Sequence, residues 1–101
     1  MKHLLYGVRS ADVPRTARLI AEILGCDFQE RESDYLGIYQ IAKISAVQIK
    51  VVSQLDPEGD PLEDGFEEYG TLVYIDGESE IQQLDSLTVP QGPLEKLRGD
   101  V

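Results

Sequence analysis

The sequence predicts an α+β domain in the order β-α-β-β-β-α, with a four-stranded, mainly antiparallel sheet and a helix packed on one face. Three observations carry that expectation. Residues 3–8 (HLLYGV) and 71–75 (TLVYI) are apolar runs too short for helices and apolar enough for inner strands. Val47, Ile49 and Val51 alternate with Gln48 and Lys50, the period of a half-buried strand. Val13, Ala17, Ile20 and Leu24 recur at helical spacing, widened by Leu19 and Ile23.

The elements follow in order. HLLYGV opens the sheet. Ser10, Ala11 and Asp12 supply helix N-cap chemistry, Pro14 is tolerated in the first turn, and Gly25 stops the helix. Beyond Cys26, Asp27 and Phe28, the polar QERESD leads into a β-prone segment at 35–42, YLGIYQIA, whose two faces are not cleanly sorted. Lys43, Ile44 and Ser45 are expected to hold the turn that pairs this segment with 47–51 as an antiparallel hairpin. After 71–75, Asp76 and Gly77 end the strand. Ser79 and Gln82 then stand at capping-box spacing, and Ile81, Leu84 and Leu87 line one side of a short helix. The expected boundaries are a single domain over 1–89 and a loosely held C-terminal tail over 90–101, where QGPLEKLRGDV has little to bury.

Composition narrows the function. A chain of 101 residues that is 42% apolar builds one core and not two. Its formal net charge of -10 is unevenly placed: residues 1–50 carry seven Lys/Arg and six Asp/Glu, whereas 51–95 carry twelve Asp/Glu and no Lys or Arg. That field repels nucleic acid and anionic membrane, so neither is an expected partner. It attracts a basic protein surface. The single cysteine, Cys26, forms no internal disulfide, and no apolar run is long enough to span a bilayer. The N-terminal MKHLLYGVRS lacks the long apolar core and small-residue cleavage site of a secretion signal. A cytoplasmic location is expected.

The densest charge lies at 56–68, DPEGDPLEDGFEE, where seven of thirteen residues are carboxylates and two prolines and two glycines exclude a helix or strand interior. Two readings stand side by side: a solvated loop that aids solubility, or a contact surface for a basic partner. Asp56, Glu58, Asp60 and Glu67 occupy positions one, three, five and twelve of a calcium-loop template, but the position that needs glycine is Pro61. No metal site is therefore assigned. His3 is a lone histidine with no partner at set spacing, and Cys26 has no neighbouring histidine to activate it. No glycine-rich phosphate loop, CxxC pair or HExxH helix is present, so no cofactor and no catalytic residue are assigned. Tyr35 and Tyr39, close to Glu30, Glu32 and Asp34, suit an interface, because tyrosine joins a rigid apolar ring to a polar tip. The candidate partner-binding set is Glu32, Asp34, Tyr35, Tyr39, Asp60, Glu63, Asp64, Glu67 and Glu68.

Two resemblances bear on this reading. The run LGCDFQERESDYLGIYQIA over 24–42, with EEYGTLVYIDG over 67–77, resembles small acidic bacterial immunity proteins of toxin–immunity systems. The resemblance implies a non-enzymatic inhibitor that binds and neutralises a basic cognate toxin by covering its active site. A nuclease is one candidate, since an acidic loop can occupy a phosphate cleft. The order β-α-β-β-β, with an LG helix end, is also similar to one module of the vicinal oxygen chelate fold. That implies the alternative, a small-molecule-binding or metal-dependent enzyme acting as a dimer, with His3 at the place of the first-strand histidine. The usual second histidine and the glutamate of the last strand are missing here. A homodimer without catalytic role is a third arrangement left open.

Overall fold

The computed structural model describes residues 2–9, 11–44, 47–77, 88–89, 92–93 and 95–99. Strand β1 (Lys2–Val8) leads into helix α1 (Val13–Leu24). The Asp12 side chain accepts the Arg15 backbone N–H at 3.1 Å, Pro14 sits in the first turn, and Gly25 closes the helix at φ 69°. The caps and the apolar stripe thus fall where the sequence puts them. Four strands follow: β2 (Gln29–Ser33), β3 (Gly37–Ile44), β4 (Val47–Ser53) and β5 (Thr71–Gly77). Two short strands, β6 (Thr88–Val89) and β7 (Gly92–Pro93), pair with each other, and β8 (Glu95–Gly99) closes the set.

The main sheet has the order β2-β3-β4-β5-β1-β8, and every neighbouring pair in it is antiparallel. The α+β class and the antiparallel sheet agree with expectation; the four strands do not. QERES forms β2, paired with β3 from Gln29↔Ile41 to Ser33↔Gly37. It carries no apolar alternation because it lies at the sheet edge with four of its five residues exposed. Strand β3 accordingly starts at Gly37 rather than 35, and Tyr35 belongs to the turn that joins the two. It also runs through Ile44, so Lys43 and Ile44, expected to hold a turn with Ser45, belong to the strand. At the other edge, Glu95–Gly99 pairs with β1, a sixth strand where a loose tail was expected. The expected second helix, around Ile81, Leu84 and Leu87, lies outside the described residues.

Both faces of the central strands are covered, which is why β1 and β5 read as continuous apolar runs and not as alternations. Leu4, Tyr6, Val8, Val47, Ile49, Val51, Val73 and Ile75 point to one side and bury Ala17 and Ile20 of α1. Val13 and Leu24, expected to be buried, are half-buried at the two ends of that stripe. On the opposite side Leu5, Val52 and Leu72 form a second cluster with Tyr69. Its cover comes from the acidic segment, through Leu62 and Phe66. Gly7 makes this second layer possible: a Cβ there would stand 2.8 Å from the Tyr69 ring and 2.7 Å from Leu97. Among the described residues no helix is long and apolar enough to cross a membrane.

Candidate functional site: an acid-rimmed groove beside a folded acidic loop

The acidic loop between β4 and β5 is built around one buried amide. Gln54, immediately after β4, is 3% exposed. Its Nε2 donates to the carbonyl oxygens of Phe66 (2.7 Å) and Tyr69 (3.1 Å), and its Oε1 accepts the Glu63 N–H at 2.9 Å. Its backbone adds two more bonds: the N–H donates to Gly70 O at 3.1 Å, and the carbonyl accepts the Leu62 N–H at 2.7 Å. Glutamine suits this place because one planar amide supplies both donors and acceptors. A loop cannot otherwise satisfy buried backbone groups from several points along its length.

A second fixed point lies at the loop's start. Asp56 Oδ1 accepts the N–H groups of Glu58 and Asp60, each at 2.9 Å, and the Asp56 backbone closes the turn to Gly59 and Asp60. This is the side-chain-to-backbone pattern that favours aspartate in turns. It gives the aspartate at position 56 a role in the turn itself, since its carboxylate is aimed at its own backbone. Glu63 is likewise engaged, accepting the Tyr74 O–H at 2.5 Å. Glu58, Asp60, Asp64, Glu67 and Glu68 remain exposed. The segment is thus a folded element with an apolar underside and an anionic outer surface, not a free excursion into solvent.

Beside it runs a groove of about 410 Å³, where the β2–β3 turn meets the first residues of the loop. Its walls include Glu32, Asp34, Ile38, Leu55, Asp56 and Pro57. Two of the three large exposed apolar side chains of the described residues, Ile38 (57%) and Leu55 (53%), line it. The third, Tyr35 (64%), stands on the adjoining turn. That turn is held by the Leu36 N–H, which donates to Ser33 Oγ at 2.8 Å. An apolar floor with carboxylates at its margin results.

A second cleft, of about 230 Å³, is lined by Tyr35, Leu36, Lys50, Leu62, Glu63, Tyr74 and Asp76, and shares Leu36 with the groove. Lys50 and Tyr74 are cross-strand partners, and the Lys50 ammonium lies 6.0 Å from the Tyr39 ring centre. Tyr39 is therefore half-buried beneath a cation, whereas Tyr35 presents its ring to solvent.

Of the residues singled out from sequence, the structure gathers Glu32 and Asp34 at the groove and Tyr35 and Glu63 at the cleft. Asp60, Asp64, Glu67 and Glu68 lie on the exposed loop and line neither cavity. Ile38 and Leu55 were missed. Each looks like strand filling in the sequence; only exposure distinguishes them from core. His3 pairs through Nδ1 with Asp76 Oδ1 at 2.5 Å, its cross-strand partner. Among the described residues no group of three His, Cys, Asp or Glu side chains converges as a metal-ligand set. The Cys26 thiol is pushed up by burial and by neighbouring Asp27, which disfavours the thiolate. The Tyr69 phenol is raised as well, chiefly by its hydrogen bond to the Glu95 carboxylate and then by burial. Its ring also carries the Arg9 guanidinium, 5.0 Å from the centroid. This ties β8 and the N-terminal strand to the end of the acidic loop.

No family model matches this sequence, and neither a curated protein nor a solved structure matches it.

Proposed function

We propose that this chain is a non-enzymatic acidic inhibitor of the immunity-protein type, which binds a basic cognate bacterial toxin and covers its active site. The observation that carries the reading is the groove in which exposed Ile38 and Leu55 stand within a margin of Glu32, Asp34 and Asp56. Protein interfaces take most of their binding energy from a few apolar or aromatic anchors enclosed by a polar rim, and this patch has that composition. The loop beside it supplies the long-range term. Five exposed carboxylates on one folded element, in a chain of net charge -10, accelerate encounter with a cationic surface and repel nucleic acid. A toxin whose cleft is basic because it handles phosphate, such as a nuclease, is a surface of this kind.

Growth is the test. The product of the reading frame adjacent to the one encoding this chain is expected to arrest growth when expressed alone. Co-expression of this chain is expected to restore growth, with the two proteins co-purifying at low salt. Arrest that persists at full co-expression, or rescue without any complex, would overturn the inhibitor reading.

A further inference from the structure

The strand order leaves β2 at an edge of the sheet, and among the described residues nothing pairs with its outer side. An exposed edge is a template for another strand, and proteins normally blunt it with charge. The charges on β2 are selective in what they block. When two copies pair antiparallel in one continuous sheet, cross-strand partners share a face, so the twofold axis passes through a residue. With Arg31 on the axis, Arg31 meets its own counterpart and each Glu30 meets a Glu32. With Glu30 or Glu32 on the axis, that glutamate meets its own counterpart. Each of these registers sets like charges directly opposite, which destabilises a pair. Self-association through β2 is therefore disfavoured in all three. A strand carrying lysine or arginine opposite Glu30 and Glu32 meets no such penalty.

The neighbourhood favours an incoming strand. Glu32 is the cross-strand partner of Ile38, so the acidic edge and the exposed apolar wall of the groove adjoin across a single residue pair. Asp34, at the end of β2, lines the same groove.

We propose that β2 is a strand-addition edge. It takes an extended basic segment of a protein partner, with backbone hydrogen bonds to Gln29–Ser33 and basic side chains opposite Glu30 and Glu32. Main-chain pairing supplies affinity that depends little on sequence, and the two glutamates select for positive charge. The partner's positive charge rests on the inhibitor reading; the availability of the edge does not.

The probe is a blocked hexapeptide of alternating lysine and valine in three forms: unmodified, N-methylated on every lysine, and N-methylated on every valine. Successive N–H groups of a strand point to opposite edges, so each methylated form loses one edge. The unmodified peptide is expected to slow amide hydrogen exchange within Gln29–Ser33. One methylated form is expected to bind at least about tenfold more weakly, and the other to stay within about twofold, since only one peptide edge faces β2. Glu30→Lys with Glu32→Lys, at exposed positions, should abolish binding of all forms. Equal binding by the three forms would mean that charge alone attracts the peptide, and would overturn strand addition. So would failure of the unmodified peptide to bind. Growth protection without peptide binding removes this edge and leaves the inhibitor standing; peptide binding without growth protection does the reverse.

Discussion

Replacing Gln54 with alanine will lower the stability of the domain by about 3 kcal/mol, because three hydrogen bonds of a buried side chain are lost together. The carbonyls of Phe66 and Tyr69 and the N–H of Glu63 would lose their partner at once. The effect should spread along the loop, since these three attachment points are what draw it back over Leu5, Val52 and Leu72. Gln54→Glu sharpens the test. A carboxylate has no proton to offer the two carbonyls, and it adds charge to a segment that already holds seven carboxylates. That variant should be at least as unstable as the alanine variant at neutral pH and should recover in acid, where the new carboxyl protonates and can donate. Denaturant midpoints at the two pH values provide the check. An alanine variant within about 0.5 kcal/mol of wild type would show that the loop does not depend on this amide.

The second large effect concerns the groove. Ile38→Ala with Leu55→Ala should speed dissociation of the growth-arresting partner by about a hundredfold, on the order of 1.4 kcal/mol for each lost anchor. Stability should change little. Both side chains are more than half exposed, so their removal leaves no cavity. That separation of binding from folding is what distinguishes an interface anchor from a core residue, and Tyr35→Ala should follow the same pattern. An unchanged off-rate in the double variant would place the contact surface elsewhere, with the mixed-charge cleft of Lys50, Glu63 and Tyr74 the next place to look.

Much of this architecture is legible in the chain because burial leaves a period. The helix shows one apolar stripe and an Asp12 cap, and β4 alternates over Val47, Ile49 and Val51. Strands β1 and β5 are apolar on both faces, which signals a covered sheet but does not say what covers it. The second cover could not be foreseen. It is an acidic loop whose apolar content is Leu62 and Phe66, set among carboxylates. Strands β2 and β8 were missed because an edge strand need bury little: QERES is almost wholly exposed, and in β8 the packing against the second cluster comes through Leu97, set among charged residues in the sequence. The candidate site was legible in its charge and not in its anchors. Glu32, Asp34 and Tyr35 stood out by composition. Ile38 and Leu55 did not, since an exposed isoleucine and a buried one look alike in a sequence.

The central claim is that a cationic partner is steered by this chain's carboxylates onto the groove beside them. Stopped-flow association rates, measured against ionic strength, test it most directly. The comparison is between wild type and a variant with Glu32→Gln, Asp34→Asn, Asp64→Asn, Glu67→Gln and Glu68→Gln, all exposed and all outside the hydrogen bonds of Gln54 and Asp56. The growth-arresting product of the adjacent reading frame is the ligand. Wild-type association should fall steeply as salt shortens the screening length, and the neutralised variant should bind at least about tenfold more slowly at low salt with a much flatter slope. Equal rates and equal salt slopes for the two proteins would contradict the account.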